Sequence, residues 1–419
     1  MERLAIEGGE PVRKEPWPQR IQVDEEELEA VLRVLKESME GPLRFGRYSS
    51  PSRTEEFEEA FARFLGVRYA VASSSGTASI HIALGSTRLE PGFEIITSPI
   101  TDPGTVAPIL FQNLIPVFAD VDPETLNLDP DSVAERITER TRAIIPVHLA
   151  GTPCEMDEIL EIAQKHNLLV IEDCAQAHGA TYEGRMVGSI GDLGCFSLMG
   201  GKHITSGGEG GMTVTDKEEL WRYAKSFSDK GKSYWSQGRQ FGYPSVILGL
   251  NYRMNEIQAA IGLVQLRKLP RILAIRRRLC HRLAKAMEDL ETVSFMKVPE
   301  KAESSYWFCH FRLDLKALRV GVDRFAEALR KEGIPVGARY IGSPIYEWPF
   351  LANRATFGRS QHPWTCSFYG KEIHYEGSCP KAKEALDRII TLTIHEGCTE
   401  KEVDDTIHAF EKVERAYRL

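Results

Sequence analysis

Residues 69–84 read YAVASSSGTASIHIAL, and this stretch decides the fold. Tyr69–Ala72 is a short apolar run, which predicts a buried strand. Ser73-Ser74-Ser75-Gly76-Thr77 supplies small turn residues, and the apolar stretch behind them predicts a helix. The alternation continues downstream. Glu94–Ser98, Pro116–Ala119, Ala143–Val147 and Leu168–Glu172 are further short apolar runs, with helical stretches such as Glu155–His166 between most of them. Strands alternating with helices predict crossover connections, a mostly parallel sheet and hence an α/β fold. In such sheets ligands bind beyond the carboxyl ends of the strands.

Upstream, Pro11, Pro16 and Pro18 mark residues 1–24 as an extended arm. Asp24-Glu25-Glu26-Glu27 has the spacing of a capping box. Leu28, Val31, Leu32 and Leu35 follow as one apolar helical face. A second helix is expected over Thr54–Leu65, with Phe57, Phe61, Phe64 and Leu65 on one side and Gly66 as its stop. Residues 25–268 read as a large α/β domain. Near Pro270 the texture changes to a long charged helix, Leu273–Leu290, then a strand around Phe308–Leu313 and a helix near Asp323–Lys331. Residues 269–419 therefore read as a small α+β domain. Trp348–Glu376, weakly periodic and rich in Gly, Ser and aromatics, is expected to be a long loop.

The chain has 419 residues, of which 42% are hydrophobic and 27% charged, with a net charge of −8. These values fit a globular protein with a large core and argue against a nucleic-acid partner. No apolar run reaches membrane-spanning length, and the N-terminal stretch lacks a secretory apolar centre, so a cytoplasmic location is expected. The eight cysteines are scattered, without a C-x-x-C, and read as reduced buried thiols rather than a metal or disulfide framework.

Three segments could carry chemistry. Ser74–Thr77 lies between a strand and a helix, where backbone N–H groups can hold a phosphate; alone, it equally fits an ordinary capped turn. Asp173, in Ile171–His178 (IEDCAQAH), follows an apolar strand and faces the ligand crevice; alone, it equally fits a helix cap. Lys202, in Phe196–His203 (FSLMGGKH), stands beside two glycines and before the Gly-rich turn Gly207–Gly211, which places its amine against close-packed backbone. Other motifs fail. A P-loop would need glycine at Phe196 and Ser or Thr at His203, the Gly207–Gly211 cluster precedes a strand rather than a helix, and H-E-x-x-H and G-x-S-x-G are absent. A strand-end carboxylate, a Gly-flanked lysine and a phosphate loop together match pyridoxal 5'-phosphate (PLP) chemistry. There a lysine forms a Schiff base with the aldehyde and an aspartate pairs with the pyridinium nitrogen.

At this level of detail the chain resembles the DegT/DnrJ/EryC1/StrS family of PLP-dependent sugar and cyclitol aminotransferases. The similarity runs from LAIEGGEPVR (4–13) to the Cys379-Pro380, Ile394-His395 and Thr399-Glu400 tail. Its most specific segments are SSSGTASIHIAL (73–84), PVFADVDPETLNLDP (116–130), PVHLAGTPC (146–154), IEDCAQAHGA (171–180), GGEGGMTVT (207–215) and NYRMNEIQAAIG (251–262). The resemblance implies the type I, aspartate-aminotransferase-like fold, with a large mostly parallel central sheet and a small C-terminal α+β domain. It implies PLP bound covalently to Lys202 as an internal aldimine, with Asp173 on the pyridine nitrogen and Gln176 near the phenolic oxygen. Gly76, Thr77 and Ser197 would contact the phosphate. Asn251 would reach the phosphate of a neighbouring subunit, so that a homodimer shares its active sites. Relatives place an aromatic residue over the ring, in a segment like P-x-x-T-aromatic; here Ser98–Thr105 reads SPITDPGT, with Asp102 at that position.

The expected activity is a ping-pong transfer of an amino group from L-glutamine or L-glutamate to a keto-cyclitol or keto-sugar. A PLP-dependent sugar dehydratase, in which histidine replaces the lysine, and a non-catalytic sensor on the same fold are the competing readings. Tyr340, Tyr346, Trp348, His362 and Trp364 are candidates for the acceptor pocket.

Overall fold

The computed structural model of the chain describes residues 2–40, 52–233 and 244–419. Five consecutive apolar segments form strands β1 (Tyr69–Ser73), β2 (Glu94–Thr97), β3 (Ile115–Phe118), β4 (Thr141–Ile145) and β5 (Leu169–Asp173), followed by β6 (Leu193–Ser197) and β7 (Gly211–Thr215). They build a seven-stranded sheet in the order β1-β7-β6-β5-β4-β2-β3. β7 pairs antiparallel with both of its neighbours, and the remaining pairs are parallel. The strands are buried almost throughout because helices cover both faces. The two-residue period sorts β6 between two cores, with Leu193 and Cys195 on one side of the sheet and Phe196 on the other.

Helix α1 (Glu25–Met39) starts at the expected capping box of Asp24 and Glu27, and α2 (Arg53–Leu65) stops at Gly66, whose φ of 77° is the left-handed conformation a terminating glycine supplies. The α1 face reads differently from its sequence. Leu28, Leu32 and Leu35 are exposed, whereas Glu27 and Val34 are buried; Glu27 accepts hydrogen bonds from Gln265 and Lys268. Helix α3 (Gly76–Thr87) follows β1, and α4 (Pro103–Phe111) follows β2. The carboxyl ends of β1, β2, β5 and β6 and the amino ends of α3 and α4 thus share one edge of the sheet.

The expected boundary at 268/269 falls inside a single helix, α5 (Glu256–Met287), of 32 residues with Pro270 in its interior. As far as Leu273 it adds Ala259, Leu266, Leu269 and Leu273 to a core that packs against the seven-stranded sheet, and beyond that it adds Leu279, Cys280, Leu283 and Met287 to a second core, which holds the C-terminal strands together with Ile100, Phe118 and Leu149. Proline removes one backbone hydrogen bond but not the apolar stripe, and burial of that stripe on both sides of Pro270 carries the helix through. The small domain holds a four-stranded antiparallel sheet ordered Val293–Phe295, Cys309–Leu313, Ile389–Leu392, Gly337–Ala338. Helices α6 (Val322–Lys331) and α7 (Glu400–Tyr417) pack with it. The N-terminal arm is anchored there: Leu4 is buried in its core, and the Glu332 carboxylate accepts from the N–H groups of Ala5 and Val12.

The 348–376 segment carries only one short helix, Pro349–Ala352, and packs on the sheet edge. Tyr375 donates to the Pro116 carbonyl at 2.7 Å, and Tyr369 to Glu94 at 3.2 Å. All eight cysteines are free thiols, and seven are buried, Cys366 being half-buried. Among the described residues no helix is long and apolar enough to cross a membrane.

Candidate active site

Asp173 closes β5 and turns its carboxylate into the crevice beyond the sheet edge. One oxygen accepts from the Thr105 hydroxyl at 2.6 Å and the other from the Ala175 N–H at 3.0 Å. Thr105, in the first turn of α4, is itself 2.6 Å from the Thr101 hydroxyl. An ionised carboxylate offers about four lone-pair positions, so room remains for a further donor. Burial pushes the Asp173 proton affinity up; Thr105, Ala175 and the charge of Lys202 oppose that shift. The neighbouring Glu172 anchors the strand end. It accepts from the N–H groups of Gly188, Ile190 and Gly191, and lies 3.1 Å from His148 Nε2. His148 Nδ1 accepts from the Cys154 N–H, so the ring proton sits on Nε2 and is donated to Glu172.

Lys202 projects from a turn closed by its own N–H on the Met199 carbonyl at 2.9 Å. Its side chain is buried, with the ammonium 3.8 Å from the centre of the Trp307 ring. Desolvation lowers its pKa to about 8, while Asp173 and Asp102 pull it upward. At pH 7 that leaves roughly a tenth of the amine uncharged, against less than about 0.1% for an ordinary lysine. Capture of an aldehyde by this amine is expected to accelerate as pH rises through about 8. Asp102→Asn removes one charge that favours the ammonium, so the midpoint should move down, by roughly a few tenths of a pH unit because Asp102 is exposed. The pH dependence of PLP capture by the apoprotein measures both.

The residues expected to contact a phosphate come together where α3 meets β6. Ser75 caps α3, accepting from the Ala78 N–H at 3.1 Å, and the helix begins at Gly76. A Cβ at Gly76 would stand 2.6 Å from Ser197 Cβ and 3.0 Å from its hydroxyl, so only glycine lets the backbone come this close. Gly76 and Ser197 are buried, and Thr77 opens to solvent beside them. Gly76→Ala is expected to force these groups apart, costing about 1–3 kcal/mol of stability and weakening PLP phosphate binding about tenfold or more. Thermal melts and PLP titration of the apoprotein read the two effects.

Gln176 is fixed at both ends of its amide, accepting from the Ala150 N–H at 2.9 Å and donating to the Tyr340 hydroxyl at 3.1 Å. Tyr340 reaches the site because the backbone is left-handed at Arg339 and Tyr340, with φ of 62° and 46°. Arg339 holds that turn through ion pairs to Asp323 and Asp387. Of the five acceptor-pocket candidates, Tyr340 is the one brought to the other site residues. Tyr346 is buried with its hydroxyl on the Cys379 carbonyl, Trp348 packs on the small-domain core, Trp364 donates to Tyr375, and His362 contacts Asn113 and Cys366. These four are packing residues in this fold. Asn251 is exposed and pairs with Asp229 in an isolated antiparallel bridge; the carbonyl of the next residue, Tyr252, accepts from the Ser74 N–H at 2.9 Å.

The structure gives Asp102 a local role. It is the N-cap of α4, accepting from the Gly104 N–H at 2.7 Å, with Pro103 at the first helical position. It thereby fixes the start of the helix that delivers Thr105 to Asp173. Thr105 and Trp307 carry no sequence signal as site residues. The nearest one is the four-residue spacing of Thr101 and Thr105, which puts both hydroxyls on one side of a helix start.

The sequence profile of the DegT/DnrJ/EryC1/StrS aminotransferase family matches residues 22–411. The chain belongs to that family. GDP-perosamine synthase of Caulobacter vibrioides is 36% identical over 85% of this chain and 89% of its own. The L-glutamine:2-deoxy-scyllo-inosose aminotransferase of Micromonospora echinospora is 33% identical over 99% of this chain and 98% of its own. The crystal structure of an aminotransferase from Psychrobacter cryohalolentis superposes with a TM-score of 0.81 at 31% identity, covering 96% and 99% of the two chains. This DegT-family chain is accordingly a PLP-dependent aminotransferase of the type I fold, as its sequence led one to expect. Its residues fit the cofactor: a glycine-floored helix start for the phosphate, a buried carboxylate with acceptor capacity to spare, and a desolvated lysine.

Proposed function

We propose that the protein transfers an amino group from L-glutamine or L-glutamate to a keto-cyclitol or keto-sugar, with Lys202 as the covalent anchor of PLP and as the proton carrier. The observation that carries this reading is the buried Lys202 amine, 3.8 Å from the centre of the Trp307 ring and in the field of the strand-end Asp173. When bound, PLP supplies an electron sink for charge developing on the substrate carbon. Asp173, steadied by Thr105, holds the ring-nitrogen proton, so the sink stays strongest when that charge peaks. Lys202, once displaced by the donor, takes a proton from one carbon and returns it to another, and its lowered pKa suits both directions. Trp307 limits where the amine can move and keeps water from that side. Gly76, Thr77 and Ser197 would hold the phosphate at the α3 N-terminus.

Asn251 belongs, on this reading, to the phosphate site of a second copy. Its exposure supports that role, as do the exposed Val246, Leu248 and Leu250 that precede it. The enzyme works as a cytoplasmic homodimer with shared sites. The dehydratase alternative finds no support at position 203. The His203 ring is buried with Nε2 2.9 Å from the Ser305 carbonyl, and Lys202 occupies the site.

The test is the near-visible spectrum of the purified protein before and after L-glutamine or L-glutamate, followed by a screen of keto-cyclitols and keto-sugars. A Lys202-dependent band converted by a donor, then restored by an acceptor with release of a free-amine product, supports the proposal. A deoxy product would establish dehydration, and a band unmoved by either donor would favour the sensor.

A further inference from the structure

Lys202 sits on neither helix nor strand. The turn around it contains Gly200, Gly201, Gly207 and Gly208. Its base is tied by Leu198 N–H to Gly210, Ser206 N–H to Leu198 and the Thr205 hydroxyl, and its tip by Lys202 N–H to Met199 and Gly200 N–H to Gly208, while the carbonyls of Lys202 and His203 take their donors from outside the turn. A long flexible side chain on such a turn would place its amine loosely, yet the proton transfers asked of it need placement to a fraction of an ångström. Something outside the turn has to hold it.

The hold comes from four distant stretches of chain. Arg20, in the N-terminal arm, donates to the Lys202 carbonyl through Nη1 and to the His203 carbonyl through Nη2, both at 2.6 Å. Gln22 adds a second donor to the Lys202 carbonyl at 3.0 Å. The remaining face of Arg20, Nε, lies on Glu396 Oε1 at 2.6 Å. The other Glu396 oxygen takes Nε and Nη2 of Arg276, on α5, at 2.9 Å each. Arg276 in turn donates through Nη1 to the carbonyls of Tyr306 at 3.0 Å and Trp307 at 3.2 Å. Trp307 completes the ring: its indole N–H donates to the Gly201 carbonyl at 2.8 Å, and its ring face covers the Lys202 amine.

Resting on the proposal that Lys202 is the anchor, we infer that Glu396 is a positioning residue for its amine, acting through Arg20 on the lysine turn and through Arg276 on Trp307. One carboxylate stands between the half-buried Arg20 and the buried Arg276 guanidiniums and offsets the repulsion between them. Each guanidinium spends its remaining N–H groups on backbone that borders the amine. Arg20 and Arg276 use the planar fork to bridge carboxylate and carbonyls at once, which lysine cannot do. The N-terminal arm is thereby part of the active-site support rather than a trailing segment.

The test measures capture of PLP by Lys202 in the apoprotein, trapped with borohydride and counted by mass, beside binding of pyridoxine 5'-phosphate, which has no aldehyde and reports non-covalent binding of the ring and phosphate. Glu396→Gln is expected to slow capture on the order of 10²-fold and to move its pH midpoint, while pyridoxine phosphate affinity stays within about twofold. Glu396→Asp is expected to recover part of the loss. Arg20→Lys, which keeps the charge but loses the fork, should give a smaller loss in the same measurement, and it carries the test if Glu396→Gln does not fold. A folded Glu396→Gln with unchanged capture rate and midpoint would overturn the inference. So would equal losses in capture and in pyridoxine phosphate affinity, which is the signature of a merely structural role. Failure of the unaltered protein to capture PLP at Lys202 would instead sink the proposed function.

Discussion

Lys202→Ala is expected to lower kcat on the order of 10⁴-fold with any accepted donor and to abolish the near-visible band of the holoenzyme. Two losses combine. The covalent anchor disappears, leaving the phosphate cup at Gly76, Thr77 and Ser197 to retain PLP. The proton carrier disappears too, and nothing nearby can replace it. Burial, the main cause of the His178 pKa of about 3, and the charge of Arg20 both persist in the variant, and His203 is engaged with Ser305. Single-turnover kinetics with L-glutamine check the prediction. Added methylamine should restore part of the rate, since a small free amine can enter the space the side chain vacates. Activity within about tenfold of the unaltered enzyme would mean that another group moves the proton.

Asp173→Asn is the second large effect. The amide keeps the shape but carries no charge, so the ring-nitrogen proton loses a partner worth about 1.5–3 kcal/mol. A fall in kcat of roughly 10–200-fold follows, with KM changed far less, because the missing interaction matters most when charge builds on the substrate carbon. Steady-state kinetics with both substrates separate the two constants; a change confined to KM would reduce Asp173 to a binding residue. Thr105→Val removes only a neutral donor to the same carboxylate and should cost about 1 kcal/mol, roughly fivefold. The two changes should not add, since Thr105 acts through Asp173.

The strands were legible because each is a short apolar run bounded by turn residues. Tyr69–Ala72 and Leu168–Glu172 match the observed strands to within a residue. The placement of Lys202 on a turn and of Asp173 at a strand end was legible because their neighbours constrain them, glycines in one case and an apolar run in the other. What stayed hidden depends on the distance along the chain between partners. Arg20 meets Lys202 from 182 positions away and Glu396 from 376, and no periodicity links them. Asp102 could be seen as a departure from the family pattern, but its cap on α4 emerges only with the helix in place. The apolar face of α1 was legible as a pattern, but pattern alone does not say which surface will bury it; in one chain Leu28, Leu32 and Leu35 remain open to solvent. His362 and Trp364 misled for a related reason: a long aromatic-rich loop can pack on a sheet edge as readily as line a pocket.

The 32-residue α5 makes the small domain a poor candidate for exchange between relatives. Its two halves serve different cores, so they must stay in rotational phase over a rod about 48 Å long. A single residue inserted near Pro270 would turn the second half by about 100° and carry Leu279, Cys280 and Leu283 off the core they fill. Recombination joining one parent's large domain to another's small domain therefore has to preserve the length of this helix to the residue.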